Sequence, residues 1–411
     1  MVRDHRPGRG VGVRDRQGAA LTFSRRLPDS TALNAVARAR DALRARDVPV
    51  LDLTISNPTE AGFSYPSYLL APLSDPRGRT YVPAPLGLQG TREAVARAIS
   101  RPGLEVSPDR VVLTASTSEA YGLLFKLLCD PGAGVLVPQP SYPLFDLLTR
   151  LEGVVPQPYR LDYHGIWSID RASLEHALTT DTRAILVVSP NNPTGAFLRA
   201  ADREWLAALA ADRGLAIISD EVFADYPLAA RPDATTMAGE SRALTFVLGG
   251  LSKSAGLPQV KLGWIVADGP ADRTADALRR LEIICDTYLS VSTPVQLAAS
   301  SLIDAGVRVQ RDIAGRLLRN LEALRAALAA FPSVQLLEPE GGWSAVLRVP
   351  STRTEEALVL RLLDRANVHV HPGFFFDFAD EAYVVVSLLT PTEDFDRGVA
   401  RVLPIAAGGR P

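Results

Sequence analysis

Between about residue 91 and residue 266, short apolar runs rich in Val and Ile alternate with helix-like stretches. The runs fall at residues 111–114, 134–137, 184–189, 215–219, 244–248 and 262–266, with helix-like segments such as 119–128 and 203–213 between most of them. This alternation predicts an α/β fold: a mostly parallel sheet with helices on both faces. Sheets of that kind bind ligands beyond the carboxyl ends of their strands. After Pro294 the pattern changes. A long helical region covers residues 295–331, with an interruption expected near Gly306. Strands follow near 334–337, 344–349, 368–371 and 383–388, and helices near 355–365 and 393–403. This reads as a smaller α+β domain.

Toward the N-terminus, residues 31–46 read as a helix capped by Thr31 or Ser30. The first 20 residues hold five Arg and four Gly with little periodicity, the texture of a flexible basic tail. The expected division is a tail over 1–22, an N-terminal arm with part of the small domain over 23–75, a large domain over 76–294 and a small C-terminal domain over 295–407. A chain of 411 residues is too long for one compact core, which agrees with two lobes.

Composition narrows the picture by exclusion. The formal net charge is −2 and gives no pointer to a nucleic-acid or membrane-surface partner. No apolar run reaches the roughly 18 residues that a membrane span needs. Cys129 and Cys285 have no CxxC spacing and read as reduced core thiols, so a cytoplasmic location is expected. One bias is informative. The basic residues comprise 41 Arg and only three Lys: Lys126, Lys253 and Lys261. Arg stays protonated, whereas a Lys amine forms an imine once deprotonated, so each surviving Lys is a candidate for chemistry.

The strand ends carry the candidates. The first run leads into Ser116-Thr117-Ser118-Glu119. Small hydroxyl residues opening a helix bind phosphate, although the same residues make an ordinary capping box. The second leads into Pro140-Ser141-Tyr142-Pro143, where the aromatic is a stacking platform or simply a core Tyr. The third leads into Asn191-Asn192-Pro193-Thr194-Gly195, a turn by composition in which paired Asn suggests an amide aimed at a ligand. The fourth ends in Asp220-Glu221, and an acid there is costly unless paired. The fifth leads into Gly249-Gly250-Leu251-Ser252-Lys253, a glycine-rich approach to an amine.

Taken together and in this order, the motifs resemble those of the class I/II aminotransferases, which are fold-type I enzymes dependent on pyridoxal 5′-phosphate (PLP). The resemblance covers roughly residues 50–400 and includes Tyr81…Gly87 and Pro372-Gly373. It implies an amino group moved from an amino acid or amine donor to a keto or aldehyde acceptor. Lys253 would hold PLP as a Schiff base and shuttle the substrate proton. Asp220 would keep the ring nitrogen protonated. Tyr142 would stack on the ring and Asn192 would bond its phenolic oxygen. Ser116, Thr117, Ser118, Ser252 and Lys261 would hold the phosphate. The family builds its sites at a homodimer interface, so Tyr81 would reach the neighbouring site.

Four departures stand out. Phe223 occupies a position where the family has Tyr, which removes one donor to the phenolic oxygen. Lys261 stands for an Arg, and Gly250 for a Ser. The largest departure lies in the last strand, where Val385 replaces the Arg that clamps the substrate α-carboxylate. Either another cation takes that role, such as His371 or an Arg from elsewhere, or the substrate lacks a free α-carboxylate. The run Phe374-Phe375-Phe376-Asp377-Phe378 suggests an apolar or bulky substrate, or plain core packing. Lyases, cyclases and racemases of the same fold share Lys253 and Asp220 and form the alternative reading. A non-catalytic sensor domain is a third, although residues 1–22 are too short for a DNA-binding domain. Nucleotide enzymes are disfavoured because GxGxxG and GxxxxGK[ST] are absent.

Overall fold

The structure is a computed structural model and describes residues 23–28, 30–230, 233–380 and 382–408; the expected tail over 1–22 lies outside them. Among the described residues, eight strands form the large sheet. In spatial order they are Val111–Thr114, Gly263–Asp268, Thr245–Gly250, Ala216–Asp220, Thr182–Val188, Gly134–Gln139, Val155–Tyr163 and Trp167–Ile169. The four inner pairings from Thr245–Gly250 to Val155–Tyr163 are parallel. Gly263–Asp268 runs antiparallel to both its neighbours, so Val111–Thr114 again points the same way as the parallel set.

The apolar runs are continuous because this sheet is covered on both sides. Val111, Leu113 and Ile217 enter one core, while Val112, Ala216 and Ile218 enter another. Successive strand residues point to opposite faces, so both faces must be apolar. The closing hairpin, Val155–Tyr163 with Trp167–Ile169, is absent from the sequence expectation. Pro156, Pro158, Arg160 and Asp162 dilute its apolar signal, and only Tyr159 along its first strand is buried.

A smaller antiparallel sheet follows, in the order Gln335–Leu337, Ser344–Arg348, Tyr383–Ser387 and His371–Pro372. The single strand expected over 368–371 is in fact two. Val368–His369 pairs in parallel with Leu51–Asp52, and His371–Pro372 pairs with Tyr383–Ser387. Pro372 has no N–H to donate, which suits this edge position. The N-terminal helix is Ala35–Arg44, shorter than expected, and its cap is Asn34 rather than Thr31 or Ser30. The Asn34 side chain accepts from the Ala37 N–H at 2.7 Å.

The expected break at Gly306 does not occur: Thr293–Leu328 is one helix of 36 residues. A glycine inside a helix costs only about 1 kcal/mol. Its reason here is packing, since a Cβ at 306 would sit 2.4 Å from the Ala255 Cβ. The helix is therefore pressed against the turn that carries Lys253. Its first half enters a core beside the large sheet through Ala298, Ala299 and Leu302. Its second half enters the core of the smaller sheet through Val309, Ile313, Leu317, Leu321 and Leu324.

Candidate active site

Six strands of the large sheet point the same way, and the segments after the carboxyl ends of five of them meet at one cavity of about 560 Å³. Ser116, Thr117 and Ser118 line it from the segment after Val111–Thr114, and Tyr142 from the one after Gly134–Gln139. Asn192, Asp220, Ser252 and Lys253 complete the sheet-side wall. The facing wall comes from the smaller sheet and the N-terminal helix: Trp343, Ser344, His369, His371, Phe375, Phe376 and Val385, with Arg40 from the helix. Two sequence candidates lie elsewhere. Tyr81 is 58% exposed and is not on the wall. Lys261 is exposed, adopts a left-handed backbone (φ 60°) after the turn Pro258–Val260, and is likewise not on the wall.

Asp220 and Lys253 set the electrostatics. Asp220 is 8% exposed. Burial pushes its carboxyl pKa up, while Tyr121, the Val222 N–H and the Lys253 charge pull it back. The Tyr121 hydroxyl donates to Oδ2 at 2.7 Å and the Val222 N–H to Oδ1 at 3.1 Å. Lys253 keeps some surface toward the cavity, but protein surrounds it, and that burial pushes its amine down to about 8 against the pull of Asp220. Its Nζ lies 4.7 Å from the Trp343 ring centre and 5.3 Å from that of Phe223. These π-faces hold the ammonium without accepting its proton. The Tyr226 hydroxyl donates to the Lys253 carbonyl at 2.6 Å and fixes the turn from below.

The helix Thr117–Leu128 opens with the capping box that its sequence offers. Ser116 caps it, accepting from the Glu119 N–H at 3.1 Å, while Glu119 reaches back to the Ala115 N–H at 2.5 Å. The cap leaves the N–H groups and hydroxyls of Thr117 and Ser118 at the cavity, where the helix offers them no acceptor. The paired Asn residues divide their work. Asn191 accepts from the Thr194 hydroxyl at 2.9 Å and braces the loop, whereas Asn192 faces the cavity near Ser344. Gly250 has a packing reason: a Cβ there would lie 3.2 Å from both the Gly263 Cα and the Leu262 carbonyl. The loop bearing Asn192 is tied to the segment bearing Trp343. Gly341 donates to the Gly195 carbonyl at 3.0 Å, Phe197 donates to Glu340 at 3.0 Å, and Arg199 pairs with Glu340.

The family profile described as "Aminotransferase class I and II" matches residues 49–402. The chain belongs to that family. Among its curated relatives, the alanine aminotransferase of Mycobacterium tuberculosis is 28% identical over 371 residues, 88% of this chain and 86% of that one. The tyrosine aminotransferase of Bos taurus is 26% identical over 315 residues, 75% of this chain and 70% of that one. The solved alanine aminotransferase from Pyrococcus furiosus superposes with a TM-score of 0.84 at 25% identity, covering 92% of this chain and 98% of that one. An aminotransferase from Escherichia coli, at 22% identity and TM-score 0.85, covers 96% and 100% and shares the fold. This aminotransferase thus has the fold-type I architecture, and among the described residues no helix is long and apolar enough to cross a membrane.

Several wall residues of the aminotransferase were not singled out from sequence. Tyr121 lies on the buried face of a helix and reads there as core. Trp343 follows Gly341-Gly342 and carries no motif of its own. The Asp52–His369 pair joins residues more than 300 positions apart, with Asp52 Oδ1 at 3.4 Å from His369 Nδ1 and 2.5 Å from the Thr54 hydroxyl. Burial alone would raise the Asp52 carboxyl, but His369 and Thr54 hold it well below its ordinary value. The donor set fits a flat, anionic carbonyl cofactor: a near-neutral amine, a buried acid, an uncommitted helix start and a Tyr beside them.

Proposed function

We propose that Lys253 is the amine through which this aminotransferase holds PLP and moves the substrate proton. The supporting observation is that a buried Lys amine, shifted toward neutrality, shares one cavity with a buried, hydrogen-bonded Asp220. Bound PLP supplies an aldehyde that condenses with amines and a ring that withdraws electrons. Asp220 would hold a proton at the ring nitrogen, with Tyr121 and Val222 fixing the carboxylate from behind. Ser116, Thr117, Ser118 and Ser252 would bind the phosphate, with Lys261 adding charge from outside the wall. Tyr142 would lie against the ring and Asn192 would donate to its phenolic oxygen. Lys253 Nζ would take the proton from the donor carbon and return it on the acceptor side, since an amine near neutrality works in both directions.

The same reading makes the enzyme a homodimer in which Tyr81 serves the neighbouring cavity. Tyr81 and Val82 are exposed, as are Tyr288 and Leu289, and the two stretches are joined where the Ala84 N–H donates to the Ser290 hydroxyl at 2.9 Å. The test is borohydride reduction of the PLP-loaded enzyme followed by peptide mapping. A pyridoxyl group on Lys253 is expected. Its attachment to Lys126 or Lys261, or to no lysine, would end the proposal. Release of ammonia or carbon dioxide from the donor, in place of a new amine on the acceptor, would assign the enzyme to the lyases.

A further inference from the structure

We infer that this enzyme acts on amines whose reacting carbon carries an uncharged hydrogen-bonding group, a hydroxymethyl or carboxamide, where an α-amino acid carries its carboxylate. The inference rests on the aminotransferase reading above and names its substrate class.

The geometry starts from the sheet register. His371 stands directly opposite Val385 across an antiparallel pair, and Val346 stands opposite Val385 on its other side. Residues directly opposite share a face, so Val346, Val385 and His371 form one row. Two of its members, Val385 and His371, line the cavity wall, while Val346 packs behind them. Val385 is 1% exposed and packs with Phe375, Phe376 and Leu337. A carboxylate set against it would lose water and gain no cation.

His371 does not supply the missing charge. Its ring lies 5.8 Å from Phe375, 5.6 Å from Phe376 and 5.9 Å from His369, centre to centre. Burial, reinforced by His369, pushes its imidazole down to about 3, so it is neutral at physiological pH. Its Nδ1 is shut off from water and has no hydrogen-bond partner among the described residues. The ring as a whole is only half-buried and lines the cavity, so a substrate meets its open edge rather than the sealed Nδ1, and a neutral imidazole serves a hydroxyl or amide as donor or acceptor. The other histidine on the wall, His369, is engaged with Asp52 and Thr54. Arg40, the arginine on the wall, stands on the N-terminal helix rather than in the Val385 row, and its side chain contacts the adjacent Asp41 at 3.2 Å.

The reaction balances without an external oxidant. The donor C–N bond is replaced by C=O, so the donor leaves as an aldehyde or ketone. Its amino group and two electrons pass to a carbonyl acceptor, which leaves as an amine. Lys253 Nζ carries the proton removed from the donor carbon. Both half-reactions use the same cavity, so the acceptor follows the same rule.

The test uses matched donors with one side chain: the α-amino acid, its amino alcohol, its amino amide and its decarboxylated amine. The amino alcohol or amide is expected to exceed the amino acid in kcat/KM by about 100-fold. H371F should raise KM for the alcohol and amide while sparing the plain amine, and H371N should restore them. V385R should shift preference toward the amino acid. Calorimetry on the PLP-loaded enzyme provides a readout apart from turnover: an amine-free primary amide should bind and the matching carboxylate should not. Equal or better use of α-amino acids, or tight carboxylate binding abolished by R40Q, would overturn the inference while leaving the aminotransferase reading standing. Failure of every donor together with no adduct on Lys253 would overturn that underlying reading, and the binding measurement would still decide the substrate class.

Discussion

The two walls of the cavity differ in kind. The large-sheet wall presents Ser116, Thr117, Ser118, Asn192, Asp220 and Lys253, a polar set placed by strands that end at the same level. The small-sheet wall presents Val385, Phe375, Phe376 and Trp343, with the imidazole of His371, whose Nδ1 has no partner among the described residues. The first matches the motifs of the aminotransferase family, and the second departs from them. The difference teaches that parallel strand ends hold the family's polar motifs together in one place, while the facing sheet is free to vary its lining.

The comparison breaks most decisively at Lys253. Replacing it with Ala removes both the amine and the proton carrier, and kcat in single turnover should fall by about four orders of magnitude or more. A retained rate would move the chemistry off the large-sheet wall.

A second test reads the same amine through stability of the apoprotein. Folding lowers the Lys253 pKa from 10.5 to about 8. Between those values the unfolded chain binds the proton and the folded chain does not. Unfolding free energy should therefore rise with pH across about 8 to 10.5, by roughly 3 kcal/mol, relative to Lys253→Met. Parallel urea denaturation curves at pH 8 and pH 10 measure the difference, and a flat difference contradicts the burial assigned to this amine.

The next effect is smaller. Tyr121→Phe removes the 2.7 Å bond to Asp220 and leaves a buried carboxylate oxygen one donor short. The cost should be about 1–3 kcal/mol, seen in urea denaturation. Three residues after Asp220, Phe223→Tyr adds a hydroxyl beside Lys253, whose Nζ lies 5.3 Å from that ring. The pH midpoint of the cofactor absorbance change should fall, by about one unit or less. No downward shift would show that the Phe223 position does not bear on the cofactor.

The large-sheet wall was legible in the sequence because each of its residues follows an apolar run, and a parallel sheet aligns those ends. The smaller wall was legible only in part. Val385 could be marked as a departure, and the Phe run could be read either as pocket or as core. It proves to be both: Phe375 and Phe376 line the cavity, while Phe378 stacks on Tyr383 at 4.4 Å and meets Trp167 at 6.1 Å. The row Val346–Val385–His371 depends on register, which sequence periodicity does not set. Asp52 with His369, and Tyr121 with Asp220, are contacts across long loops and between elements, where local pattern is silent. Gly306 misled because a helix-breaking residue and a close-packing residue look the same in a sequence.

That glycine has a mechanical consequence. The 36-residue helix is a rod anchored at each end in a different core, and at Gly306 it lies too close to Ala255, two residues from Lys253, to admit a side chain. One continuous rod therefore ties the core behind the smaller sheet to the turn that carries the amine, and a side chain at 306 would have to push the two apart.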